Sequence, residues 1–303
     1  MSSTDSLSLP QRRRQFLGWG SLILAGLVAV VAGTFWARQQ GVFDDFLSSY
    51  SGFVGPSAQT DGISPFLAWL HFVNAVVLIL LIRSGWQVRH TRRPSGFWSR
   101  PSRGAKPGVK ISLEVWTHLA LTFIWLANGV AYIGYLFVSG HWVRLVPQEW
   151  EIVPHAVSAA LQYLSLQGPP HDGWISYNAL QMVAYFTVVF IAAPVSALTG
   201  LRMSPVWAEK SWLAQAIPMG LARAVHYPAM VFIALFTVSH AALSLGTGPV
   251  ENLNHMYAAT NADSWLGPVL FGVSLVLTAA GWLALRPELT SVAAGLTGRV
   301  TRG

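Results

Sequence analysis

Residues 223–243 read RAVHYPAMVFIALFTVSHAAL. After Arg223 the stretch carries no Asp, Glu, Lys or Arg, yet His226 and His240 interrupt its apolar run. About 20 mostly apolar residues suffice to cross a hydrocarbon core about 30 Å thick as a helix. Ionisable side chains at that depth are rare and usually functional. At 3.6 residues per turn the two histidines fall about 40° from eclipsed, on one helix face. At 1.5 Å per residue they lie roughly 21 Å apart. The stretch reads as a membrane helix that presents two sites stacked across the bilayer core.

The rest of the chain agrees. Of its 303 residues, 53% are hydrophobic and 10% charged, against about 25% charged in an ordinary soluble domain. Too little charge is present to cover a soluble surface, so apolar residues must face lipid. Cysteine is absent. That excludes disulfides, iron–sulfur ligation, cysteine zinc sites and C-x-x-C-H haem attachment. No G-x-G-x-x-G or Walker A pattern marks a nucleotide domain.

Six spans are expected, at residues 17–37, 64–84, 113–139, 178–200, 222–245 and 265–285. Only Arg83, Glu114 and Arg223 place charges within them, all near ends. The net charge of +7 orients the protein rather than binding nucleic acid. An N-terminus in the cytoplasm puts every one of the 19 Lys and Arg residues inside except Arg38 and Arg144, a strong positive-inside bias. Both termini are then cytoplasmic. The outer segments take most of the acid, including Asp44, Asp45, Asp61, Glu149, Glu151, Asp172, Glu251 and Asp263.

The longest outer segment, residues 140–177, has room for a short interfacial helix near 154–166, and is either a docking surface or a capping loop. The basic stretch 89–110 (RHTRRPSGFWSRPSRGAKPGVK) reads as a flexible inner loop against anionic headgroups. The first span reads as an anchor, being long for a cleaved signal. Arg13-Arg14-Gln15-Phe16-Leu17 also has a twin-arginine look, though positive charge holding the N-terminus inside explains it as simply. No internal repeat is visible. The expected organisation is an anchor helix and outer loop (1–63), a four-helix domain (64–245), and a last span with a cytoplasmic tail (246–303).

Of nine histidines, His90, His141, His155, His171 and His255 fall in loops or helix ends and read as solvated. His71, His118, His226 and His240 lie within spans. Chain direction fixes their depths. The second span runs inward with His71 near its outer start. The third and fifth run outward, with His118 and His226 near their inner starts and His240 near the outer end. The depths match in pairs: His71 with His240, His118 with His226. Two neutral imidazoles at one depth can supply both axial ligands of a haem iron, so two pairs make a two-haem wire. Zinc, which wants about four ligands, suits the pattern poorly. A proton relay predicts a single chain of groups instead. Gly85 and Gly129 would let a flat macrocycle approach the backbone, and ordinary helix packing explains them equally. Arg223 reads either as a partner for a haem propionate or as an inner anchor.

At this point the chain resembles a known family, the di-haem cytochrome b subunits of formate dehydrogenase, nickel–iron hydrogenase and thiosulfate reductase. The resemblance covers residues 64–245. It rests on one histidine in WLHFVNAVVLILLIRSG (His71), one in EVWTHLALTFIWLANGVAYIGYLFVSGHW (His118), none in YNALQMVAYFTVVFIAAPVSALTGLRMSP, and two in the stretch quoted first (His226 and His240). It implies an all-α integral membrane protein with a four-helix di-haem bundle, in a bacterial cytoplasmic membrane. It implies two b-type haems on those four histidines. It also implies electron exchange between quinone and a molybdopterin or nickel–iron subunit docking on the outer face. The extra first span reverses the direction common for the first core helix in such members, which leaves open which haem serves which partner. Two alternatives remain at this level: a transporter or proton- or metal-handling protein with buried histidines, which would show inverted repeats and broken helices, and a reductase acting alone at the outer surface.

Overall fold

A computed structural model describes residues 9–55, 62–100, 108–169, 173–205 and 212–303. Six helices within it are long and apolar enough to cross a membrane: α1 (Leu9–Gln39), α3 (Pro65–His90), α4 (Leu113–Ser139), a composite helix over Ala179–Met203, α9 (Met219–Gly246) and α11 (Leu266–Ala284). Shorter helices join them: α2 (Asp44–Ser49), α5 (Ile152–Leu164), α8 (Trp212–Ala216), α10 (Pro249–Ala258) and α12 (Pro287–Gly295). The chain is an all-α integral membrane protein. The expected interfacial helix is α5, shifted by about half a turn toward the N-terminus.

Local chemistry sets the helix ends. The Ser64 hydroxyl accepts from the Leu67 amide and Pro65 sits at the first helical position of α3, where its missing N–H costs nothing. Ser112 caps α4 in the same way through the Val115 amide. Gly140 closes α4 at φ +77°, a conformation that side chains disfavour. The 26-residue α3 runs six residues past the expected span, because the charge of Arg83 and Arg89 does not break a helix but only marks where it reaches headgroups.

The composite fourth span is α6 (Ala179–Phe186), a π segment (Thr187–Ala192) and α7 (Ala193–Met203). Pro194 explains the widened turn. Its ring would clash with the carbonyl one turn back and it offers no N–H, so the preceding turn opens. In α9, Pro228 is absorbed without ending the helix.

The chain divides into two compact units, Met1–Gly55 with Pro147–His171 and Tyr177–Val183, and Pro56–Val146 with Asp172–Ser176 and Ala184–Gly303. In the first, α1 exposes Trp19, Leu22, Ile23 and Leu27. Arg38 at its end donates to the Ser165 hydroxyl just past α5. In the second, polar side chains join the membrane helices from within. Trp125 of α4 donates its indole N–H to Asn74 of α3 at 3.1 Å, and Asn128 donates to the Leu70 carbonyl. Asn254 of α10 donates to the Ala262 and Ser264 carbonyls and accepts from the Gly267 amide, fastening α10 to the start of α11. Around these the apolar residues turn outward, as Phe123, Val130, Leu235, Val238 and Val276 do.

The helices of the second unit pack as α3 on α4, α7 on α9, and α10 and α11 on α3. No comparably close backbone packing brings α9 onto α3 or α4 among the described residues. Across that space His71 meets His240 and His118 meets His226.

The basic stretch differs from its reading as a flexible loop. It contains β1 (Gly96–Ser99) and ends at the start of β2 (Lys110–Ser112), and the two strands pair antiparallel. The C-terminal β3 (Arg299–Arg302) adds to the other edge of β1, with Trp98 opposite Val300. Residues 101–107 lie outside the described set. The pairing partner of β1 is some 200 residues away, which no local pattern discloses.

Candidate functional site

The four span histidines come together in two pairs. His71 on α3 faces His240 on α9 with ring centroids 6.3 Å apart and planes at 70°. His118 on α4 faces His226 on α9 at 6.4 Å and 87°. Fourteen residues of α9 separate the pairs, roughly 21 Å of helix. Among the described residues no group of three or more His, Cys, Asp or Glu could hold a metal. The sites are pairs and nothing more.

The spacing can be tested against a bridging iron. Metal–imidazole bonds are about 2 Å, and each ring adds roughly 1 Å from nitrogen to centroid, so a trans pair places centroids about 6 Å apart. Both pairs meet that figure. Directly hydrogen-bonded imidazoles would sit closer, with about 3 Å between nitrogens.

Two hydroxyls fix the chemistry of the second pair. Ser84 on α3 donates its proton to the Leu81 carbonyl at 2.8 Å, and its oxygen lies 2.9 Å from Nδ1 of His118. Thr199 on α7 donates to the Val195 carbonyl at 2.6 Å, with its oxygen 3.0 Å from Nδ1 of His226. A hydroxyl has one proton. With that proton bound to a carbonyl, each oxygen can only accept from the imidazole. Both histidines therefore carry N–H at Nδ1, and the Nε2 lone pair is left to bind a metal. Ser84 and Thr199 are themselves 1% and 5% exposed, so water does not compete.

A glycine follows each hydroxyl. A Cβ on Gly85 would lie 3.3 Å from Cε1 of His118, and one on Gly200 would lie 3.0 Å from Cε1 of His226. Carbon pairs prefer about 3.5–4.0 Å. The missing side chains let each imidazole bring Cε1 close to the neighbouring helix.

The His71–His240 pair is built differently. Tyr185 places its hydroxyl 3.4 Å from Nδ1 of His240, and Phe236 stacks on the His240 ring at 5.6 Å and 6°. Nδ1 of His71 is buried with no hydrogen-bond partner. The edge of Tyr257 from α10 meets the His71 ring at 5.3 Å. Burial pushes the Tyr257 phenol above its ordinary pKa, and the Ser274 hydroxyl pulls weakly the other way, so Tyr257 stays neutral.

The remaining expected residues fall out as follows. Gly85 adjoins His118. Gly129 borders open space, with nothing within 4 Å of an added Cβ, so it brings no histidine close to its backbone. Arg223 lies exposed in the first turns of α9, three residues before His226. Two histidines read as solvated are not. His141 is 8% exposed and its Nε2 bonds the Gly62 carbonyl; His255 is 4% exposed and bonds Asn261 at 2.7 Å. Each sits at a helix end that folds back under a loop, and burial there depends on the loop rather than on the helix. Nδ1 of His155 is also buried, against the Tyr50 ring. His90 is exposed and stacks on Trp86. His171 lies outside the described residues.

The sequence reading missed Ser84, Thr199, Gly200, Tyr185 and Tyr257. A signal for the first three was present: the dipeptides Ser84-Gly85 and Thr199-Gly200, each a hydroxyl followed by a glycine inside a span.

Neither a search of curated proteins nor one of solved structures returns a match. The family model of the prokaryotic cytochromes b561 matches residues 62–258, which takes in all four span histidines, both hydroxyl–glycine pairs and α10. The chain therefore belongs to the prokaryotic cytochrome b561 family and is a multi-pass membrane protein of haem-b electron transfer.

Proposed function

We propose that this chain carries electrons through two b-type haems, one between His71 and His240 and one between His118 and His226, linking quinone to a separate redox subunit docked on the outer face. The observation that carries this reading is the pair of ring separations, 6.3 and 6.4 Å, at two depths of a single helix. A bound haem supplies a one-electron iron couple at each depth. The chain does the rest. Ser84 and Thr199 hold the tautomer that frees Nε2, and Gly85 and Gly200 make room for the imidazoles. The lipid-facing apolar residues of α4 and α9 keep water away. No nucleotide motif accompanies these sites, so reducing equivalents must come from a membrane-soluble donor or another protein.

A pyridine haemochromogen assay on the purified chain is expected to give two b-type haems per polypeptide. One haem, or none, overturns the reading.

The reading places both termini in the cytoplasm, supported by the bias that leaves only Arg38 and Arg144 outside. Exposed positions for single cysteines are Gln167 beyond α5 and Leu296 after α12. An impermeant thiol reagent is expected to label Gln167→Cys in intact cells, and Leu296→Cys only after permeabilisation. The opposite pattern reverses the orientation.

A further inference from the structure

We infer that Ser84 and Thr199 lower the reduction potential of the haem held by His118 and His226, and that no device of equal strength acts on the haem held by His71 and His240. The inference rests on the two-haem reading above and adds to it a difference between the haems. Both have the same axial ligands, two imidazoles. What distinguishes them is what accepts the proton at Nδ1.

An imidazole that donates from Nδ1 to a good acceptor gains electron density at Nε2 and becomes a more basic ligand. A more basic ligand favours the ferric over the ferrous ion and so lowers the potential. At His118 and His226 the acceptors are in place at 2.9 and 3.0 Å, within the ordinary range of about 2.7–3.2 Å. Each hydroxyl has already given its proton to a carbonyl of its own helix. That donation polarises the oxygen and strengthens it as an acceptor. It also stops the hydroxyl from turning round to donate into the ring. The same helix turn thus sets both the tautomer and the strength of the pull.

At the other pair that pull is weaker. Nδ1 of His71 is buried and has no acceptor. Nδ1 of His240 meets a phenol at 3.4 Å, beyond the ordinary range. Phe236, Tyr257 and the Tyr185 ring pack the two imidazoles with aromatic surface instead. Ser84 and Thr199 are therefore positioning residues. They touch no iron and act through the ligands.

The test is a spectroelectrochemical titration of the purified chain carrying both haems, with Ser84→Ala, Thr199→Val and the double variant. The haem lost in His118→Ala identifies which component to follow. At the wild-type midpoint of that component, oxidised to reduced is one to one. Each single variant is expected to shift the ratio about threefold toward reduced. The double variant should shift it about tenfold, which is 59 mV for a one-electron couple. The other component should stay in place. Thr199→Ser keeps the hydroxyl and is expected to keep the wild-type midpoint. Tyr185→Phe is expected to leave the His118–His226 component unmoved.

Unchanged midpoints in both single variants with haem content intact overturn the inference. So does an equal shift of both components, or a Thr199→Ser midpoint that follows Thr199→Val. Should Ser84→Ala lose its haem, Thr199→Val decides alone. A wild-type chain lacking two b-type haems is a separate failure, seen before any hydroxyl is changed, and it strikes the proposed function first.

Discussion

Replacing His71 or His240 by Ala is expected to remove one and the same b-type component from the reduced-minus-oxidised spectrum, and replacing His118 or His226 the other. Each variant should retain about half of the haem. The reasoning is geometric. An iron bound by two imidazoles spans ring centroids about 6 Å apart, and the structure offers that separation twice, at 6.3 Å for His71 with His240 and 6.4 Å for His118 with His226. Crossed pairing would need a single iron to reach between sites separated by roughly 21 Å of α9. Buried histidines elsewhere supply the control. His141 and His255 are more hidden than the site residues, but their Nε2 atoms are already bonded to Gly62 and Asn261. Ala at either should keep both components. Loss of one component by His71→Ala and His226→Ala together, with the other lost by His240→Ala, would mean that the helix directions are wrong.

The reach of the sequence follows from the range of the interactions concerned. Membrane helices declare themselves locally, because a window of apolar residues is itself the reason for the helix; all six are legible, and the largest departures are at the start of α1 and the end of α3, where charged residues extend the helix beyond the apolar window. Depth is also local. A histidine's distance from the start of its span, with alternating chain direction, was enough to match His71 with His240 and His118 with His226, and the structure brings those rings together. What lay beyond reach needs a neighbour's identity. Ser84 bonds a histidine 34 residues away and Thr199 one 27 residues away. A serine or threonine in a membrane helix satisfies itself on its own carbonyl in any case, so its second bond leaves no trace in composition. The small sheet was hidden for the same reason. The basic stretch is rich in Pro, Ser and Gly and has no strand period, and only the distant C-terminal residues Arg299–Arg302 make β1 a central strand. His141 and His255 were misjudged because loop residues bury them, and a span-based reading counts only helices.

The glycines show the same division most sharply, and they carry the second large effect. By spacing, Gly129 falls near the face of His118 on its own helix, whereas nothing in the local sequence ties Gly200 to a histidine. The structure reverses their standing. Gly129→Ala adds a methyl group to open space and is expected to leave both haems and their midpoints unchanged. Gly200→Val puts a branched carbon where even a Cβ would stand 3.0 Å from Cε1 of His226, well inside the ~3.5–4.0 Å preferred between carbons. The obstruction is not the far end of a flexible chain. It is a ring tethered through Nδ1 to the Thr199 hydroxyl at 3.0 Å, on an α9 that packs against α7. Either the ring swings away from His118, or the two helices part. Both outcomes disrupt the His118–His226 pair. Gly200→Val is therefore expected to lose the same spectral component as His226→Ala, about half of the haem, while the His71–His240 component persists at its wild-type midpoint. Gly200→Ala, with a single carbon to accommodate, should retain the component in part. Haemochromogen assay and difference spectra of the three variants measure this directly. Full haem content in Gly200→Val, or a loss that falls on the His71–His240 component, would show that Gly200 does not shape the site.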